Sequence, residues 1–229
     1  VKILGTAPEA IDTAENRKMF SSLLDSLAIS QPKWKEARSI DKVGQVVEEL
    51  GGYPVLVRPS YVLSGSAMRV AYNDGELALF LKNASDASKD HPVVVSKFEN
   101  FAREVEFDAV ADHGKVVLWA LSEHIEDAGV HSGDATLVIP PQRLPLDMMR
   151  EMKEIGFKLA LKLDITGPFN VQMLSKKHEV KVIELNLRAS RSFPFISKAM
   201  GVNFIREATK IILNEGSEKS VYPDVFDLK

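Results

Sequence analysis

Two long alternating runs joined by a tight turn constrain this chain more than any other feature. Residues 103–112, REVEFDAVAD, place Val105, Phe107, Ala109 and Ala111 on one face of an extended strand. After a turn at Asp112–Gly114, GKVVLWALSEHI reads as the antiparallel neighbour. A second pair, FNVQML at 169–174 and VKVIELN at 180–186, flanks the polar turn Ser175–Glu179. Together these runs predict a large antiparallel-sheet lobe. Between the pairs lie a polar, Gly-containing loop, a strand at TLVIP and an amphipathic helix from Leu146 to Leu163, frayed at Gly156. A closing helix spans Val202 to Leu213, and residues 216–229 form a peripheral extension.

Ahead of that lobe the pattern is mixed. Residues 9–28 carry a helical stripe broken near 12–16, with Pro8 at a first turn. A short strand at Lys33–Ala37 precedes a helix from Ile40 to Leu50, with Ser39 as N-cap and Gly51-Gly52 as its end. Past Tyr53-Pro54 the period becomes extended: VLVRPS, then MRVAYN, a helix over 75–88 and the strand PVVVSKF. The fold class is α+β, a small α/β lid lobe plus a larger antiparallel-sheet lobe with flanking helices. The expected divisions are an N-terminal helical part at 1–51, a small lid at 52–98 and the large lobe at 99–229.

With 29 basic and 32 acidic residues among 229, the surface has no general pull toward nucleic acid or anionic lipid. No cysteine is present, so disulfides, thiolate metal sites and cysteine nucleophiles are ruled out. No apolar run approaches the length of a membrane span. The opening VKILGT reads as the tail of a strand, which suggests a piece of a longer polypeptide.

Four groups of residues can carry chemistry. Glu184 and Asn186 are two apart and share a strand face, and Gln172 can join them from the neighbouring strand. A carboxylate with amide oxygens makes a hard site suited to magnesium or manganese. Arg188 and Arg191 follow, where guanidinium forks can hold phosphate or carboxylate oxygens; Val182 is expected near the same face. The other reading is a polar strand edge with surface arginines. Arg58, a cation inside an apolar strand, precedes the small-residue loop Tyr61–Met68, either a phosphate lid or a tight hairpin. Lys97 and Glu104 suit a nucleotide base, phosphate and ribose, or a strand-end salt bridge. His124, Glu126, His131 and Asp134 lie in HIEDAGVHSGDA, which reads as a ligand-contacting or hydrogen-bonded loop; its spacing is a poor zinc site. Phe193, Phe195 and Ile196 read as core packing.

At these residues the chain resembles a known family. GTAPEAIDTAENR, YPVLVRPSYVLSGSAM, HPVVVSKF, SEHIEDAGVHSGDATLVIPPQ, GPFNVQ and VIELNLRASRSFPFISKAMGV together resemble the second, carbamate-phosphorylating ATP-grasp domain of carbamoyl phosphate synthetase large chains, eukaryotic forms especially. The lid lacks the doubled glycines of the bicarbonate-phosphorylating half. The resemblance implies an ATP-grasp fold and the reaction of ATP with carbamate to give ADP and carbamoyl phosphate. It implies nucleotide contacts from Arg17, Arg58, Lys97, Glu99, Glu104, Gly129, Val130, His131, Ser132, Gln172 and Glu184. It implies metal ligation by Gln172, Glu184 and Asn186, phosphoryl-handling by Arg188 and Arg191, and a potassium ion near the loop 123–134. Its implied partners are the remaining large-chain domains and a glutaminase or ammonia source, in cytoplasm by preference or in mitochondria. Alternatives are a ligase of the same fold with another carboxylate acceptor, or a non-catalytic nucleotide-binding or structural module.

Overall fold

The computed structural model describes residues 3–37, 43–59, 68–87, 93–129 and 135–215. Ser39, Ile40, the loop residues 61–67, His91, Val130, His131, Ser132, Asp134 and the extension 216–229 lie outside them. The chain divides into two compact units, residues 12–101 and residues 1–11 with 102–229.

Helices α1 (Pro8–Glu15) and α2 (Arg17–Ser26) begin the chain. The break expected near 12–16 falls at Asn16, whose side chain accepts from the backbone N–H of Met19 at 3.1 Å and caps α2. In the unit 12–101, strands β1 (Trp34–Ala37), β2 (Val55–Arg58), β3 (Arg69–Ala71) and β4 (Val93–Lys97) form an antiparallel sheet in the order β1-β4-β2-β3. Because β1 pairs with β4, the segments expected as helical part and lid share one sheet. Helices α3 (Val43–Leu50) and α4 (Asp74–Ala87) pack Val47, Leu50, Leu77 and Leu81 against Val55, Val57, Val93 and Val95. Alternation along β2 buries Val55 and Val57 and leaves Leu56 and Arg58 half-buried on the other face.

The second unit is built on five antiparallel strands: β5 (Arg103–Asp112), β6 (Lys115–Asp127), β7 (Leu137–Val138), β8 (Gly167–Lys176) and β9 (Glu179–Asn186), in the order β7-β6-β5-β8-β9. Three helices accompany them, α5 (Leu146–Lys162), α6 (Phe193–Met200) and α7 (Phe204–Ile212). On one face Val105, Phe107 and Ala109 stand opposite Met173, Val171 and Phe169, all fully buried. Helix α5 covers this face and does not fray: it runs unbroken through Gly156. A Cβ there would sit 2.4 Å from the Phe107 ring, so the missing side chain is what lets helix and sheet approach. The ring stacks on Trp119 at 5.8 Å and tilts against Phe169 at 5.9 Å, leaving it little room to move.

The other face is divided. At one end Val110, Leu118 and Ala120 are covered by Phe193 and Ile196 of α6 and Phe204, Ala208 and Ile211 of α7. Toward the other end the same face carries Asp108, Glu106 and Glu104, all buried. Helix α6 is absent from the sequence reading. Its eight residues are too few for a clear period, although Pro194 in the first turn and Gly201 in the left-handed C-cap at φ 69° mark its ends. It buries Phe193 and Ile196, but Phe195 is 46% exposed and is not core.

The Gly156–Phe107 contact makes an unusual expectation for a helix glycine. Alanine ordinarily gains about 1 kcal/mol over glycine in a helix interior. Gly156→Ala should nevertheless destabilise by roughly 1–2 kcal/mol, because overpacking a rigid core outweighs propensity. Gly44→Ala in α3, where nothing lies within 4 Å, should be neutral or gain about 0.5 kcal/mol. Urea unfolding of both variants checks the pair; a stabilised Gly156→Ala refutes the packing argument.

Candidate functional site

The polar part of the sheet face is assembled row by row. In one row Ser122, Glu106, Gln172 and Glu184 are successive cross-strand partners; in the next Ala120, Asp108, Asn170 and Asn186 are. Opposed residues of antiparallel strands point to one face, so Gln172 stands on the side of Glu184 and Asn186, as the sequence required. Val182 does not. It pairs with Met173 while Glu184 pairs with Gln172, so Ile183 is an extra residue and the register shifts there. The bulge sends Val180 and Val182 into the core and turns Glu184 and Asn186 to the polar face.

A continuous hydrogen-bond network links these rows. Asn170 Nδ2 donates to Asp108 Oδ1 at 2.9 Å and to Glu106 Oε2 at 3.1 Å. That orientation turns its Oδ1 outward, where Asn186 Nδ2 donates at 3.4 Å. Asn186 is thereby left with its own Oδ1 available, and Arg188 Nη2 donates to it at 3.3 Å. His124 lies within β6 and not in the following loop; its Nε2 is 3.0 Å from Glu106 Oε1, both groups buried. Ser122 Oγ is buried without a hydrogen-bond partner among the described residues. Glu126 is bound to Thr136, accepting from its N–H and Oγ1–H at 2.9 Å each, which fastens β7 to β6.

Crowding of acids in a desolvated place shifts their proton affinities. Burial pushes the Glu104 carboxyl up to about 7; Glu106 and Glu184 add to this and His124 opposes it. Burial and the Glu106 charge raise Asp108 to about 6, against hydrogen bonds from Ser190, Ser192 and Asn170. Burial alone would lower His124, but its bond to Glu106 and the nearby Glu104 charge raise it. One ligand atom from each of Glu104, Glu106 and His124 lies within 4.8 Å of the others, so this group, too, could hold a cation.

The remaining expected residues are placed as follows. Arg191 Nη2 donates to the Ala135 carbonyl at 3.0 Å, and Gly129 is exposed beyond β6. Arg17, Arg58, Lys97 and Glu99 belong to the unit 12–101, each half-buried. Lys97 Nζ donates to the Gly52 and Tyr53 carbonyls at 2.8 and 3.0 Å. Glu106, Asp108, Ser190 and Ser192 were missed by sequence reasoning. The signal was available in the same alternation, since Glu104, Glu106 and Asp108 are every second residue between the apolar ones.

Fold comparison defines the class. The biotin carboxylase domain of Hydrogenobacter thermophilus 2-oxoglutarate carboxylase superimposes with a TM-score of 0.81 at 16% identity, over 94% of this chain and 49% of that one. Campylobacter jejuni biotin carboxylase gives 0.81 at 17%, over 98% and 50%. This is the ATP-grasp fold. Residues 16–219 match the family described as carbamoyl-phosphate synthase L chain, ATP binding domain, and the chain belongs to it. Multifunctional protein ura1 of Schizosaccharomyces pombe is 53% identical over 98% of this chain, which covers 10% of that protein. Multifunctional protein pyr1-3 of Dictyostelium discoideum is 54% identical over 93% of this chain and 10% of its own length. The mitochondrial carbamoyl-phosphate synthase (ammonia) of Aquarana catesbeiana is 53% identical over 97% and 15%. The chain thus spans 10% to 15% of the length of these relatives.

The raised Glu104 value carries a sign. A folded-state value above the usual 4.5 means that the native state holds the proton more tightly than the unfolded chain. Its contribution is full below pH 4.5 and is lost as pH rises through about 7. Glu104→Gln should remove that part of the decline, on the order of 3 kcal/mol for a shift of this size. Urea unfolding between pH 4.5 and 7.5 measures it, and equal slopes in both proteins contradict it.

Proposed function

We propose that this chain is the carbamate-phosphorylating domain of a carbamoyl phosphate synthetase, transferring the γ-phosphoryl of ATP to carbamate. Membership of an ATP-binding family supports the nucleotide. The observation that carries the reaction is the pair of rows that sets Gln172 beside Glu184 and Asn170 beside Asn186, next to Arg188. Gln172, Glu184 and Asn186 offer the oxygen donors a hard divalent ion prefers, with magnesium or manganese both suitable. An ion held there would supply neutralisation of charge on the phosphate oxygens. A potassium ion near 123–134 belongs to the same reading.

No protein nucleophile is required. The anionic carbamate oxygen attacks the γ-phosphorus in line while the ADP oxygen leaves, and Arg188 and Arg191 absorb the developing charge. Arg17, Arg58, Lys97, Glu99, Glu104, Gly129, Val130, His131 and Ser132 hold the nucleotide, with residues 52–98 serving as lid. The rest of the synthetase, with a glutaminase or ammonia source, supplies carbamate; the cytoplasm and the mitochondrion both fit.

Running the reaction backward isolates this step. The protein, given carbamoyl phosphate, ADP and magnesium, should form ATP. Glu184→Ala should reduce the rate by about 100-fold or more while leaving the fold intact. ATP formation at the same rate in that variant refutes the assignment, and another carboxylate acceptor releasing ADP more readily than carbamate would redirect it.

A further inference from the structure

Between the end of β9 and the start of α6 runs the six-residue segment 187–192, which carries both Arg188 and Arg191. Among the described residues neither arginine is held by a carboxylate in the hydrogen bonds it makes: Arg188 donates to Ala189 O and Asn186 Oδ1, Arg191 to Ala135 O. What fixes the segment is two serines reaching inward to one buried acid. Ser190 Oγ donates to Asp108 Oδ1 at 2.5 Å, Ser192 Oγ donates to Asp108 Oδ2 at 2.7 Å, and the two hydroxyls are 2.6 Å apart. Asp108 is fully buried on the central strand, and its remaining bond comes from Asn170, the residue that orients Asn186.

We propose that Asp108 is a positioning residue for phosphoryl transfer, gripping the arginine segment through Ser190 and Ser192 and the metal-side amide through Asn170. The proposal rests on the phosphoryl-transfer reading above. Two short bonds from the segment to one carboxylate define its position in a way that apolar packing alone would not. Packing could replace a buried ionic group at little cost in stability, but would leave the two arginines free to pivot with the segment. Displacement of a positioned group by about 1 Å can cost about 100-fold in rate. Asp108 therefore joins two parts of the site that come from different elements, the guanidinium groups after β9 and the amide at its end.

The test compares Asp108→Ala, the pair Ser190→Ala with Ser192→Ala, and all three together in the ATP-forming assay. Each of the first two should lower kcat by about 10- to 100-fold, with the KM for ADP within about threefold of the wild type. Because the acid and the hydroxyls act as one unit, the triple variant should be no slower than Asp108→Ala. Losses that multiply, or KM and kcat falling together, overturn the proposal. Arginine Nε–H signals in 15N NMR give a readout that needs no turnover. In the serine pair variant those of Arg188 and Arg191 should average toward the values of free arginine, and unchanged signals overturn the proposal. Should Asp108→Ala not fold, the serine pair decides by both readouts. A wild-type protein that forms no ATP refutes the carbamoyl phosphate reading, and the NMR comparison then judges the grip alone.

Discussion

Everything on the working face follows from placing two carboxylates, Glu106 and Asp108, at the centre of a five-stranded sheet where water does not reach. Such groups are costly to desolvate unless each oxygen finds donors. The fold brings those donors from three directions. Asn170 comes from β8 and bridges both acids, His124 comes from β6, and Ser190 and Ser192 come from the segment after β9. Removing any of them strands a buried charge, so the network acts as a unit and not as separate contacts. It also fixes which way the amides face, since Asn170 can present its oxygen to Asn186 only while its nitrogen is held by the acids.

The division of that face explains where the site lies. Val110, Leu118 and Ala120 require cover, and α6 with α7 provides it. Cover ends where β5 changes from Val110 to Asp108, and Ser192, the residue before α6, is the point at which apolar packing gives way to hydrogen bonding. On the opposite face α5 seals the sheet through the Gly156–Phe107 contact. A sheet closed on one side by a helix and half closed on the other leaves one polar area of limited extent, rigidly backed. Rigid backing suits chemistry that proceeds by positioning and electrostatics.

The long strands, their turns, α5 and α7 were legible because each has a clear hydrophobic period and ends at polar or Gly residues. The pairing of Gln172 with Glu184 was legible for the same reason. Other features were not. In VKVIELN, Val180, Val182, Glu184 and Asn186 are all two apart, which in a regular strand would put valines and site residues on one face. Only the bulge at Ile183 separates them, and nothing in composition marks it. Reading REVEFDAVAD for its apolar half located the core and passed over Glu106 and Asp108. His124 was grouped with the loop that follows it, although one bond to Glu106 makes it part of the sheet's interior.

Charge on the face has a direction of its own. Glu104, Glu106, Asp108 and Glu184 converge on it from two strands, and the buried basic group among them is His124. Burial, with repulsion from Glu106 and Glu184 added to it, raises the proton affinity of Glu104, which means the face accommodates added positive charge more readily than it accommodates its own ionised acids. A nucleotide tail alone would be repelled by such a surface. A cation placed between carboxylates and phosphates converts the repulsion to attraction on both sides. The arginines need not then counter the acids, and they stand beyond them on the segment after β9, where the proposed reaction assigns them to the outer phosphate oxygens.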